Sequence, residues 1–230
     1  MNNPIYRPAD YSRRQLLQRL AAALVLGNSI CWRDAFAAKQ ETGIVRLKGK
    51  VHLNGQPASV GQLVKMGDAL ETFADAEVVF IVGKDAYLQR AGSQIRLETA
   101  SGSGFTQLLR VVSGRLLAVF AKGETQIETP TVTLGIRGTA VYIEAEADKT
   151  YVCLCYGTAK YTPTAQANQA FTQTTQHHEK PLWIYADINR PLMEASVPMN
   201  HSDAELSMLE ALVGRVPPFL KNYGTSRSRY

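Results

Sequence analysis

From residue 44 to residue 161 the apolar positions come in short runs, many of them alternating with polar residues, and Gly, Asp, Asn or Pro interrupts them about every ten positions. That is the spacing of short β-strands joined by tight turns, not the 3.6-residue recurrence of amphipathic helices. Strands are predicted at 44–47, 50–53, 69–72, 77–82, 85–89, 93–97, 108–112, 115–120, 126–128, 140–145, 150–156 and 158–161. The turns come from Lys48-Gly49, from the Asn54-Gly55 dipeptide that suits a two-residue hairpin, from Gly83-Lys84-Asp85 and from Ser113-Gly114. So many short strands with no helical interval place the chain in the all-β class. The arrangement is a sandwich, a barrel or a β-helix-like stack, which periodicity does not separate.

One helix is predicted, at 202–213. Ser202 and Glu205 have capping-box spacing, and Leu206, Leu209, Leu212 and Val213 recur at helical intervals. Gly214 ends it, and Pro217-Pro218 is read as forbidding its resumption. The Leu stripe is expected to pack on the β domain with Phe219 as a second anchor. A docking arm over 181–219, presenting Trp183, Tyr185, Phe219 and the same stripe to another protein, is the alternative. The Gln- and Thr-rich stretch 162–180 reads as a polar linker, or at 173–176 as an edge strand. Residues 98–106 read as a Ser/Gly-rich loop and 220–230 as a tail.

Residues 1–37 fall outside the β pattern. Ser12-Arg13-Arg14-Gln15-Leu16-Leu17-Gln18 resembles a twin-arginine export motif; an apolar stretch at 20–30 and an A-x-A-like cleavage site, Ala35-Phe36-Ala37, follow it. The apolar stretch is about a dozen residues, short of the ~20 a spanning helix needs. The expectation is therefore a cleaved signal carrying Arg13 and Arg14, and a periplasmic or otherwise exported protein with no permanent transmembrane helix. An uncleaved signal anchoring the chain in the inner membrane is the alternative. Cys31 follows Asn28-Ser29-Ile30, which is not the small-residue run preferred for lipid attachment. The formal charge is +5, but five Arg and two Asp of that signal account for three of the five charges. The remaining chain is close to neutral and has no Lys/Arg run interleaved with aromatics, so nucleic acid is excluded as a partner.

Within the β pattern lies Thr129-Pro130-Thr131-Val132-Thr133-Leu134-Gly135-Ile136-Arg137-Gly138-Thr139, which resembles the signature of FecR-type domains. Gly55-Gln56-Pro57-Ala58 and Gly67-Asp68-Ala69-Leu70-Glu71-Thr72 match the family's opening hairpin and following step, so the resemblance runs from about 43 to 161. It implies a compact stacked β-fold and a non-catalytic module that binds a protein in the cell envelope. Relatives of this type relay the state of an outer-membrane iron-transport receptor; the implied partner here is such a receptor or a secreted complex. About a dozen residues precede the twin arginines, too few for the family's anti-sigma segment. In the residues themselves, Pro130 cannot donate to a ladder and Gly135 and Gly138 tolerate positive φ. The segment thus reads as a bend that sets Arg137, Gly138 and Thr139 on a corner. There Arg137 is either a clamp for backbone carbonyls or, with Gly138 and Thr139, a binding corner.

Cys153 and Cys155 flank Leu154 in a predicted strand, so both thiols point to one face. Their Cα separation of roughly 6–7 Å and parallel side chains suit a mutual disulfide poorly. Buried small thiols are one reading, and soft metal ligands are another. His177, His178 and His201 could complete an S₂N₂ set for zinc, copper or iron, and a twin-arginine route, which carries folded proteins, is compatible with metal loaded beforehand. Adjacent His177 and His178 would face opposite sides of a strand, so one of them is expected at a common site. No cofactor is otherwise expected. Ser202 in His201-Ser202-Asp203 is claimed by the helix cap, and no phosphate loop, H-E-x-x-H or nucleophile elbow is present; the chain is expected not to be an enzyme.

Overall fold

Strand β5 (Glu77–Val82) has five consecutive buried residues and β6 (Asp85–Gln89) is buried throughout. A strand with water on one face would alternate; these two are covered on both. The computed structural model, which describes residues 42–99 and 107–223, shows how. The export signal with Arg13 and Arg14, Cys31, most of the Ser/Gly-rich loop and the end of the tail lie outside the described residues.

Around β5 and β6 the chain runs through β1 (Gly43–Lys48), β2 (Val51–Leu53), β3 (Gln56–Pro57), β4 (Ala69–Thr72), β7 (Ser93–Glu98), β8 (Gln107–Val119), β9 (Glu124–Glu128), β10 (Val132–Ala145) and β11 (Lys149–Pro163). It continues through β12 (Phe171–Thr175), β13 (Leu182–Tyr185), β14 (Met193–Ala195), α1 (Asp203–Leu212) and the six-residue α2 (Pro218–Tyr223). The protein is all-β with one short C-terminal helix of any length. Among the described residues all strands join one 14-stranded sheet that doubles over into two layers. The first layer runs β3-β2-β4-β7, then the first half of β8, β9, the first half of β10, the second half of β11 and β12. The second runs β1-β5-β6, then the second half of β8, the second half of β10, the first half of β11, β13 and β14. Every pairing is antiparallel except β8 with β9.

The long strands correct the sequence reading. Residues 108–112 and 115–120 are not two strands with a turn at Ser113-Gly114, nor are 150–156 and 158–161 separate; each pair is one strand that passes from one layer to the other. Glycines make the crossings. Gly114 has φ 88° and Gly157 φ 99°, and a Cβ there would stand 2.3 Å from Ser93 Oγ and 2.6 Å from Thr139 Cγ2 respectively. Such bends are how strands switch sheets at the corners of packed β-layers. The segment 129–139 is corrected in the same way. Residues from Val132 onward are extended strand, Gly135 has no positive φ, and the bend shrinks to a register shift between Arg137 and Ala140 around Gly138.

Two cores result. Between the layers, Leu70, Ile95, Leu109, Val111, Leu134 and Ile136 meet Val78, Phe80, Tyr87, Leu116, Val141, Val152 and Leu154. On the outer face of the second layer, the alternate residues Val79, Ile81, Leu88, Leu117, Val119, Tyr142, Tyr151, Cys153 and Cys155 are covered by Leu206, Leu209 and Phe219. The helix forms as expected: the Ser202 side chain accepts from the Glu205 amide and Glu205 accepts from the Ser202 amide. Burying Leu206 and Leu209 completely contributes about 1.5–3 kcal/mol each. The C-terminal stretch therefore packs on its own chain, and β13, which the sequence reading did not find, pairs Leu182–Tyr185 with β11. Edge pairing at 173–176 is realised as β12 over Phe171–Thr175. Pro217-Pro218 does not forbid a helix: α2 starts on Pro218, because a proline in a first turn has no intrahelical amide bond to lose. Among the described residues no helix is long and apolar enough to cross a membrane.

Candidate metal centre

The period of two in β11 sets Tyr151, Cys153 and Cys155 on the outer face of the second layer, both thiols fully buried and free. Strand β12 ends at Thr175, paired with Gly157, and the chain turns back over β11 through residues 176–179. His178 takes φ 56°, and its amide donates to the Cys155 carbonyl at 3.0 Å. A non-glycine residue in the left-handed region is uncommon and persists where its surroundings fix it. Here the conformation brings the imidazole over the thiols.

The fourth group arrives from the C-terminal segment. His201 precedes the Ser202 cap and stacks on Tyr142 with ring centroids 4.5 Å apart. Arg90 holds this end of the helix, donating to the Asn200 carbonyl and pairing with Glu205, both at 2.8 Å. The donor atoms of Cys153, Cys155, His178 and His201 all lie within 4.8 Å of one another. Cys153 Sγ is 3.4 Å from His178 Nδ1, which is 3.0 Å from His201 Nε2. A tetrahedral zinc with Zn–S of about 2.3 Å and Zn–N of about 2.0–2.1 Å has ligand–ligand edges of roughly 3.3–3.8 Å.

The far nitrogens fix the tautomers. His201 Nδ1 lies 2.6 Å from the Met199 carbonyl oxygen, and His178 Nε2 lies 3.1 Å from Asp203 Oδ1. A carbonyl and a carboxylate only accept, so each of these nitrogens carries the hydrogen and donates. In neutral rings His178 Nδ1 and His201 Nε2 are then both bare, and two lone pairs face each other at 3.0 Å. Such a contact is stable only with a cation between the nitrogens, a proton or a metal. The Asp203–His178 and Met199–His201 contacts are the outer hydrogen bonds that metal-bound imidazoles keep.

The electrostatics agree with an anionic centre. The Cys155 thiol facing it, and then His178 and His201, bring Cys153 down to about 4 in spite of its burial. Burial pushes the Cys155 thiol well up, with the neighbouring sulfur adding. Burial opposes the charging of His178, but Cys153 and Asp203 outweigh it and hold the imidazole above its ordinary value.

His177 does not join the thiols. It reaches the same carboxylate, with Nε2 2.9 Å from both Asp203 oxygens, and stacks on Phe219 at 4.4 Å. With His178 and Asp203 it makes a second, more exposed group. Facing opposite ways on a strand is not what separates the two histidines, since they sit in a turn. His52 lies elsewhere, on β2 against Phe73. Asp203 and Tyr142 were not found as site residues from sequence: Asp203 reads there as part of a helix start, and nothing in a linear pattern places a β10 tyrosine beneath His201. Arg137, Gly138 and Thr139 are not in this group. The Arg137 side chain is 76% exposed and pairs with Glu124 across β9 and β10, while Thr139 is fully buried. Gly138 lines a cleft whose other side is His177 and Phe219.

Fold and site together define the class: a doubled-over all-β sheet whose outer face is closed by a C-terminal helix at a Cys₂His₂ group. No protein-family model and no characterised protein matches the sequence. Among solved structures the fold is similar to two crystal structures of a chain described as "a putative anti-sigma factor from Parabacteroides distasonis ATCC 8503", at 1.65 Å and 2.50 Å resolution. Each is 10% identical with a TM-score of 0.47, over 62% of this chain and 64% of that one. The match thus spans less than two thirds of that protein's length.

Proposed function

We propose that the chain is an exported, non-catalytic sensing module of FecR-like type whose bound species is zinc, held by Cys153, Cys155, His178 and His201. The observation that carries this reading is the convergence of two buried thiols and two imidazole nitrogens, all four donor atoms within 4.8 Å of one another. Two thiolates and two imidazoles in a tetrahedral arrangement suit zinc, with copper and iron as the competing metals. The burial of both thiols favours a binding over a nucleophilic role, since a nucleophile needs a path to substrate. The partner is proposed to be an envelope protein, an outer-membrane receptor or a secreted complex. It would be taken at the outer edge of β12 or β14 or at the exposed Arg137. Undiminished capture of that partner after Arg137→Glu in a folded protein excludes the arginine.

Elemental analysis of the full chain, purified under reducing conditions, tests the metal. The expected result is close to one zinc per chain, absent from a Cys153→Ser/Cys155→Ser variant. A metal-free wild type, as stable as that variant and unable to take up zinc, copper or iron, overturns the reading. Copper or iron in place of zinc keeps the site and corrects the metal.

A further inference from the structure

The four donors do not come from one piece of the fold. Cys153 and Cys155 stand on β11, and His178 sits in a turn bonded to the backbone of β11. His201 belongs to the segment that leads into α1 and covers the outer face of the second layer. We infer that the metal fastens this C-terminal segment to the sheet, so that metal occupancy decides whether the helix stays closed over the outer face. The inference rests on the metal reading above.

The other contacts of the segment show why a fastener matters there. Near His201 its polar attachments are Tyr151 to the Val197 carbonyl, Asn200 to Glu144, Arg90 to the Asn200 carbonyl and Glu205, and His177 to Asp203; Tyr156 to the buried Glu210 lies further along α1. Two of the residues concerned are accessible, Val197 at 70% exposure and Asp203 with half its side chain exposed. Beneath the helix, Leu206, Leu209 and Phe219 are the fully or nearly buried anchors. A cation that bonds His201 on one side and three sheet-borne donors on the other ties the segment at the point where it meets the helix. When His201 leaves, three ligands remain on the sheet. Closing is therefore favoured by the ratio of four-ligand to three-ligand affinity, which is the coupling between metal and helix. Opening would uncover Val79, Ile81, Leu88 and Leu117. With Phe219 gone it would also uncover the cleft wall at Gly138, joining the metal to the corner that resembles the FecR signature.

The test is amide hydrogen exchange on the full chain, stripped with chelator under reductant and then given one equivalent of zinc chloride, with zinc uptake measured on the same sample. The expected result is slowing of at least about tenfold across 199–213, with little change in the distant strands β2, β4 and β7. In His201→Ala, which keeps three donors, zinc still binds but the slowing disappears. Stoichiometric zinc uptake with exchange of α1 unchanged in the wild type overturns the clasp and leaves the metal site standing. Failure of the folded wild type to take up zinc, and copper or iron in its place, overturns the site itself. The wild-type comparison decides the matter even if the variant does not fold, and intact protection of β8 and β10 shows that it has.

Discussion

Asp85 opens β6 with 5% of its surface exposed, and its Oδ1 accepts the Ala121 amide at 2.7 Å. Burial pushes its carboxyl from 3.8 up to about 6, against the pull of the Ala121 hydrogen bond and of Arg215, with Glu210 adding to the rise. The folded protein therefore binds this proton more tightly than the unfolded chain does. The stability it contributes is full below about pH 4 and is lost as pH rises through 6. A shift of roughly two units at 1.36 kcal/mol each makes the loss about 3 kcal/mol. Asp85→Asn keeps an oxygen for the Ala121 amide and has nothing to ionise. Relative to wild type it is expected to gain about 3 kcal/mol between pH 3.5 and pH 7.5, most of it between pH 4 and pH 6. Urea unfolding of both proteins at several pH values, in reductant and excess chelator, reads the difference; other titrating groups are common to both and cancel. A difference that stays flat across this range would mean that Asp85 is solvated, and would refute the tight closure of the Arg215 segment over β6.

Asp203→Asn removes a charged acceptor behind His178. Outer-sphere partners are worth about 10–100-fold in metal affinity, and with half of the Asp203 side chain exposed the low end, about tenfold, is expected in a competition titration with a chromophoric chelator. An affinity within twofold of wild type would remove Asp203 from the site. The same variant should lose no more than about 1 kcal/mol of metal-free stability, the worth of an acid at a helix start. Gly157→Ala places a methyl 2.6 Å from Thr139 Cγ2 at φ 99° and is expected to cost about 2 kcal/mol or more, seen as a lower urea midpoint. Wild-type stability would show that β11 crosses between layers without needing glycine.

The short-range signals were legible because each is decided by its own neighbours. Alternation located most strands, Ser202 and Glu205 located the helix, and the Leu stripe gave its buried face. The merging of 108–112 with 115–120 was hidden because Ser113-Gly114 suits a turn and a layer crossing equally well. The difference lies in what approaches the glycine, here Ser93, which is twenty-one residues earlier in the chain. The donor set was readable as residue types: two cysteines one apart and three late histidines. Which histidine joins them depends on the positive φ of His178 and on where α1 docks, and neither is written in spacing. Asp203 was passed over because its place at the helix start already explained it.

The covering of the outer face by α1 also has a consequence for synthesis. Val79, Ile81, Leu88, Leu117 and Val119 are made well before Leu206, Leu209 and Phe219, which cover them. Throughout translation of the residues between, the nascent protein carries an apolar sheet face with no lid. Such surfaces on incomplete chains are where aggregation begins. Products released at any codon before Leu209 should therefore be the insoluble ones, and that face needs shielding until Leu206, Leu209 and Phe219 have left the ribosome.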